Sequence, residues 1–127
     1  MVKKIIRAPA NLLFSKAIVH NQKYSMEISG QVGLNSEGKL VVGIEEQTKQ
    51  TFQNVKDILK EVGWDLSNLI KIRIFLADMK DYGTVNEIYA TYFDNDFPTR
   101  VALAVKDLPL GALIEMDCTA IGDGIKE

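Results

Sequence analysis

Leu69-Ile70-Lys71-Ile72-Arg73-Ile74-Phe75-Leu76 is the stretch on which the fold turns. Ile70, Ile72, Ile74 and Leu76 recur at every second residue, with Lys71, Arg73 and Phe75 between them. That is the period of a strand with one face in a core. Upstream the period changes. Over residues 43–62, Ile44, Thr48, Phe52, Val55, Leu59 and Val62 fall three or four apart with charged residues elsewhere, which predicts an amphipathic helix laid on a sheet. Glu45-Glu46 suit the positive end of that helix and Gly63 its stop. Downstream a second helix is predicted from about Lys80, with Tyr82, Val85, Ile88, Tyr89 and Tyr92 on its stripe. Residues 100–105 and 112–121 read as two more strands, separated by Asp107-Leu108-Pro109-Leu110-Gly111.

Towards the N-terminus, residues 13–20 and 23–29 read as a strand pair joined near His20-Asn21-Gln22-Lys23. Tyr24, Met26 and Ile28 alternate with Ser25, Glu27 and Ser29. A turn at Asn35-Ser36-Glu37-Gly38 leads to a short predicted strand at 39–42. The predicted order is β-β-β-α-β-α-β-β, an α+β domain over residues 1–127 with a mixed sheet and both helices on one face. The other face mixes characters: Phe75 shares it with Arg73, and Leu113 and Ile121 with Glu115 and Asp117. A mixed face of this kind fits a subunit interface better than open water.

With 46% apolar and 25% charged residues, the 127-residue chain has the composition of a globular domain. A net charge of -2 gives no overall attraction to nucleic acid or to an anionic membrane. No apolar run approaches the roughly 20 residues that span a bilayer, and Met1-Val2-Lys3-Lys4-Ile5-Ile6-Arg7 lacks the apolar core of a secretory signal. Cys118, the single cysteine, excludes an intrachain disulfide and a multi-cysteine zinc site. A cytoplasmic location is expected.

Gly33-x-x-x-x-Gly38-Lys39 imitates a phosphate-binding loop, but Leu40 stands where the magnesium-binding hydroxyl belongs and a strand follows instead of a helix. It reads as a hairpin turn. His20, the single histidine, sits near a turn rather than in a cleft beside a carboxylate. Cys118 alternates with Ile114, Met116 and Ala120 on an apolar face, the place of an inert packing thiol. No metal site emerges from so few ligands. Arg100 differs, because Pro98 fixes the backbone just before it at the mouth of a strand. Its guanidinium either pairs structurally or presents a fork to a ligand carboxylate. Glu115 points away from Ile114 and Met116, and either pairs with Lys71 or Arg73 or holds a water.

Ser29-Gly30-Gln31-Val32-Gly33, Gln47-Thr48 through Asn54-Val55-Lys56, Val85-Asn86-Glu87-Ile88-Tyr89, Phe97-Pro98-Thr99-Arg100, Leu108-Pro109 and Ile114-Glu115 occur in an order and spacing that resemble the YjgF/RidA family of reactive-intermediate (enamine/imine) deaminases. The resemblance covers nearly the whole chain. It implies a chorismate-mutase-like subunit and a homotrimer with clefts between subunits. It also implies cofactor-free hydrolysis of 2-aminoacrylate, 2-iminobutanoate and related imines, released by pyridoxal-phosphate enzymes, to 2-keto acids and ammonia. Carried over by position, Arg100 binds the substrate carboxylate and Glu115 orients the attacking water. Ser29, the Gly30 N–H and the Ala102 backbone shape the pocket, with Asn86 in support. The chain departs from the pattern at Leu12-Leu13-Phe14-Ser15, where the family usually shows Gly-Pro-Tyr-Ser, so the pocket tyrosine becomes Phe14. Ala102 replaces a frequent cysteine. Phe14 keeps open an alternative, a non-catalytic trimer that binds small carboxylates. RNA cleavage, also attributed to the family, finds no basic stripe with interleaved aromatics here.

Overall fold

In a computed structural model, which describes residues 3–127, the elements run β1 Lys3–Arg7, β2 Ser15–His20, β3 Tyr24–Val32, α1 Ile44–Lys60, β4 Leu69–Leu76, α2 Tyr82–Ala90, β5 Thr99–Ala104 and β6 Ile114–Gly122. β1 and β2 form an antiparallel ribbon, and the main sheet has the order β3-β6-β4-β5. Within it β6 is antiparallel to β3 and β4, while β4 and β5 run parallel, joined by α2. The predicted α+β class and the mixed sheet hold.

The symbol string β-β-β-α-β-α-β-β also holds, but its members differ from those expected. Residues 39–42 form no strand; a single bridge, Leu34 to Leu40, closes a turn in which Asn35 Oδ1 accepts from the N–H groups of Glu37 and Lys39. Gly43, at φ 90°, then ends the extended run before a ladder can grow. The place of that strand is taken by β1. Its basic ends, its adjacent Ile5-Ile6 and a register shift after Ile6 break the alternation that would have marked it. The third difference is pairing. β2 and β3 are consecutive but not partners, since β2 pairs with β1 and β3 with β6.

The core lies between the helices and one face of the main sheet. Ile72, Ile74, Leu76, Ile114, Met116 and Cys118 project from that face, and Phe52, Val55 and Leu59 meet them from α1. Gln47 and Thr51 are buried beside these apolar residues because their polar atoms are satisfied. Gln47 Oε1 accepts the Leu113 N–H at 2.8 Å, and Thr51 Oγ1 donates to the Gln47 carbonyl at 2.7 Å. Asn54 Nδ2 donates to the carbonyls of Val32 and Leu34, which ties α1 to the end of β3. A Cβ at Gly33 would lie 2.9 Å from the Gln47 backbone, so this close approach of strand exit to helix requires glycine.

Cys118 is inert packing, as expected, and burial pushes its thiol up to about 12 with a smaller contribution from the charge of Asp117. Burial raises the Tyr89 phenol too, against the opposing charge of Arg100. Both groups are neutral in the folded chain where the unfolded chain would ionise, so the folded state binds more protons at alkaline pH. Their contribution to stability is intact below pH 9, the ordinary thiol value, and is lost as pH rises, at a slope of about 1.4 kcal/mol per pH unit for each group. Denaturant midpoints from pH 8 to 11 are expected to fall above pH 9, and Cys118→Ala to flatten the first part of that decline. An unchanged slope in the variant would show that the thiol is not its origin.

Candidate active site

Arg100 enters the structure from Phe97-Pro98, a corner fixed by the fold around it. The Ser15 N–H donates to the Pro98 carbonyl at 3.1 Å, and Pro98 itself is buried. In the parallel ladder Arg100 is registered with Ile72, so its side chain leaves on the helix-covered side of the sheet. There it meets three residues of α2 at positions 82, 86 and 89, which the helical period places on one face. Nη1 donates to Asn86 Oδ1 at 2.8 Å and Nη2 donates to the Tyr82 hydroxyl at 3.1 Å. The guanidinium carbon stands 4.9 Å from the centre of the Tyr89 ring. That ring is held in turn by Phe97, stacked at 6.0 Å, and by Phe52, edge-on at 6.0 Å. The Tyr89 hydroxyl is buried without a hydrogen-bond partner among the described residues, so Tyr89 serves Arg100 through its ring face.

Arg100 is half-buried, and among the described residues no carboxylate pairs with it. Its side-chain partners are neutral. The structural ion pair left open by the sequence is therefore not formed among the described residues. β5 is an edge strand, which adds a further donor. The Val105 N–H donates to the Leu76 carbonyl across the ladder, so regular alternation turns the Ala102 N–H to the free edge, one residue beyond Val101 from Arg100.

Glu115 is registered with Phe75 of β4, three positions from Ile72, and so lies on the opposite, uncovered face of the sheet. Beside it β3 carries a bulge. Ile28 pairs with Cys118 and Gln31 with Met116, so Ser29 and Gly30 take up one residue more than β6 offers. A Cβ at Gly30 would stand 2.6 Å from Glu115 Oε2 and 2.9 Å from its Cδ. Glycine leaves the space in which that carboxylate rests. Ser29 and Gly30 are exposed and border a concavity of about 260 Å³ shared with Lys71 and Thr119. The competing pairing of Glu115 with Arg73 is not made. Arg73 donates through Nε and Nη2 to the two carboxylate oxygens of Asp117, at 2.8 and 2.7 Å.

Phe14 lies apart from both groups. It lines a concavity of about 490 Å³ with Pro9, Leu12, Asn95 and Phe97. One subunit thus brings together Arg100, Asn86 and Ala102, brings Glu115 together with Gly30 and Ser29, and does not join the two sets. Sequence reasoning missed Tyr82 and Tyr89 as neighbours of Arg100 because their period marks them as apolar stripe. Their seating at i and i+7 around Asn86, opposite an arginine strand, was the available signal.

The model of the family described as endoribonuclease L-PSP matches residues 5–122. The chain belongs to this family, YjgF/RidA. Among its YjgF/RidA relatives, a 2-iminobutanoate/2-iminopropanoate deaminase of Mus musculus is 42% identical over 127 residues, spanning 95% of this chain and 93% of the relative. The protein of the same name from Homo sapiens is 43% identical over 110 residues, 85% of this chain and 79% of the relative. Among solved structures, yeast Mmf1 superimposes with a TM-score of 0.75 at 34% identity, covering 95% of this chain and 99% of that one. RidA from the Antarctic bacterium Psychrobacter sp. PAMC 21119 gives 0.75 at 28% identity over 91% and 94%. The YjgF/RidA subunit fold expected from the sequence is therefore the fold observed. Among the described residues no helix is long and apolar enough to cross a membrane, and no group of three or more His, Cys, Asp or Glu side chains could hold a metal ion.

Proposed function

We propose that this protein is a cytoplasmic deaminase that hydrolyses 2-iminobutanoate, 2-iminopropanoate and their enamine tautomers to 2-keto acids and ammonia. The observation that carries this is the half-buried Arg100 fork, held by neutral groups and left without an anion among the described residues. A guanidinium so placed is matched to a small carboxylate, which it binds with two parallel N–H donors. The relatives that share most of the chain bear the same activity in their names.

The chemistry follows from position. With the carboxylate fixed on Arg100 and the Ala102 N–H, the adjacent C2 of the imine is presented to a water held by Glu115. Water adds to C2 as its proton passes to the carboxylate. That proton passes on to the nitrogen to complete a neutral carbinolamine. The carboxylate then takes the carbinolamine hydroxyl proton and delivers it to the nitrogen as the C2–N bond breaks, which releases ammonia and leaves the 2-keto acid. The substrate is already electrophilic, so orienting one water and one acid group supplies much of the acceleration. Asn86 fixes the guanidinium, and Ser29 and Gly30 wall the pocket beside Glu115.

Arg100 and Glu115 lie on opposite faces of one sheet, so a complete site takes Arg100 from one copy and Glu115 from another. This supports a homotrimer with clefts between subunits. The uncovered face that carries Glu115 also exposes Val101 at 50% and Leu103 at 40%, apolar surface suited to burial between copies. The test is to generate 2-aminoacrylate and 2-iminobutanoate with a pyridoxal-phosphate dehydratase, trap surviving imine with semicarbazide, and measure sedimentation alongside. Faster imine loss by a trimer is expected. A trimer that binds 2-oxobutanoate but leaves imine loss unchanged would replace catalysis with carboxylate binding.

A further inference from the structure

We propose that Tyr82 is a second carboxylate anchor of the site, a specificity residue acting beside Arg100; the inference deepens the deaminase reading and rests on its carboxylate pocket. Tyr82 opens α2, one turn before Asn86, and its hydroxyl accepts an Nη2–H of Arg100 at 3.1 Å. A phenol that accepts a hydrogen bond still has its own O–H to donate. Polarised by the cation behind it, that O–H becomes a better donor.

The surroundings supply donors and almost no acceptors. Arg100 uses two of its bonding N–H groups on Asn86 and Tyr82, which leaves about three of the five a guanidinium carries. Asn86 accepts through Oδ1, which leaves its Nδ2 group as another donor. The Ala102 N–H joins them from the strand edge. An assembly of donors around one cation calls for an anion with several acceptor oxygens, and a carboxylate with four lone-pair positions fills it. Phe14 has no hydroxyl and that of Tyr89 is buried beneath the ring cluster. Tyr82 is therefore the tyrosine whose hydroxyl bonds Arg100 and keeps its own O–H to donate to an anion held there. An amide in place of the carboxylate brings N–H donors against donors and is rejected.

Tyr82→Phe removes one oxygen and keeps the ring, so the fold and the packing against Arg100 persist. Calorimetric titration with 2-oxobutanoate is expected to show about tenfold weaker binding. KM in the imine assay should rise by a similar factor, with kcat within about twofold and Tm unchanged. Discrimination between 2-oxobutanoate and 2-oxobutanamide should shrink by the same factor. A purely structural role would move Tm and leave that discrimination intact. Unchanged affinity, or a fall in kcat at constant KM, overturns the inference. Because the titration needs no turnover, a protein that binds 2-oxobutanoate through Tyr82 yet hydrolyses no imine overturns the deaminase reading alone. Wild-type protein that binds no 2-oxobutanoate overturns the anchor as well.

Discussion

Replacing Arg100 by alanine is expected to lower kcat/KM for 2-iminobutanoate by about a hundredfold to a thousandfold while the subunit stays folded. The substrate carboxylate would lose a bidentate, charge-assisted pair, worth about 1.5–3 kcal/mol per bond before cooperative losses. Taken together these amount to about 3–4 kcal/mol, at roughly 1.4 kcal/mol for each power of ten. Stability changes little because the groups left behind are not stranded. Asn86 and Tyr82 are half-buried and can turn to water, and the Tyr89 ring remains wedged between Phe52 and Phe97. The loss of the cation over that ring costs about 1 kcal/mol. Arg100→Lys keeps the charge but not the planar fork, so an intermediate loss of about tenfold is expected. Steady-state kinetics with sedimentation and thermal melts of both variants would separate the roles. If the alanine variant dissociates or melts early, Arg100 is a structural residue and the carboxylate is bound elsewhere.

How far the sequence carried the fold depended on whether burial left a period behind. β4 and α1 were legible because each buries one face, and Ile72, Ile74, Phe52, Val55 and Leu59 repeat at the spacing their backbones impose. β1 was not, since its two-residue apolar pair and register shift erase the alternation. Residues 39–42 misled for the opposite reason. Leu40-Val41-Val42 has strand character by composition, but Gly38 at φ 77° and Gly43 at φ 90° bend the chain at either end, and Val42 is left 88% exposed. The pairing of β2 with β1 was illegible because adjacency in sequence predicts a hairpin and nothing in β3 announces that its partner lies at the far end of the chain.

The candidate site could be read from the sequence as single residues and not as an arrangement. Arg100 and Glu115 stood out because a fixed charge in a strand needs a reason. That they project from opposite faces follows only from the register, in which Arg100 stands beside Ile72 and Glu115 beside Phe75. The bulge at Ser29-Gly30 was invisible for the same reason. A bulge is a relation between two strands, and the sequence of one strand holds half of it.

Gly30 yields the sharpest test of that bulge, and Gly30→Ala is expected to lower kcat by about ten- to a hundredfold with little loss of stability. The added methyl would start 2.6 Å from Glu115 Oε2. That is well inside the roughly 3.5 Å at which carbon and oxygen meet comfortably. Something must move, and the cheapest mover is the carboxylate, the free end of a flexible side chain with no hydrogen bond or ion pair among the described residues to resist it. Its rotation costs little, whereas a catalytic group displaced by about 1 Å can lose a hundredfold. Glu115→Gln should lower kcat by a comparable factor through lost basicity at an unchanged shape. The two effects pass through the same carboxylate, so in the double variant Gly30→Ala should add almost nothing to Glu115→Gln. KM for the imine should stay near its wild-type value in all three, since Arg100 still holds the acid group. Losses that multiply in the double variant would mean that Gly30 acts through its own backbone N–H. A marked fall in Tm with Gly30→Ala would mean that the strand, and not the side chain, gave way.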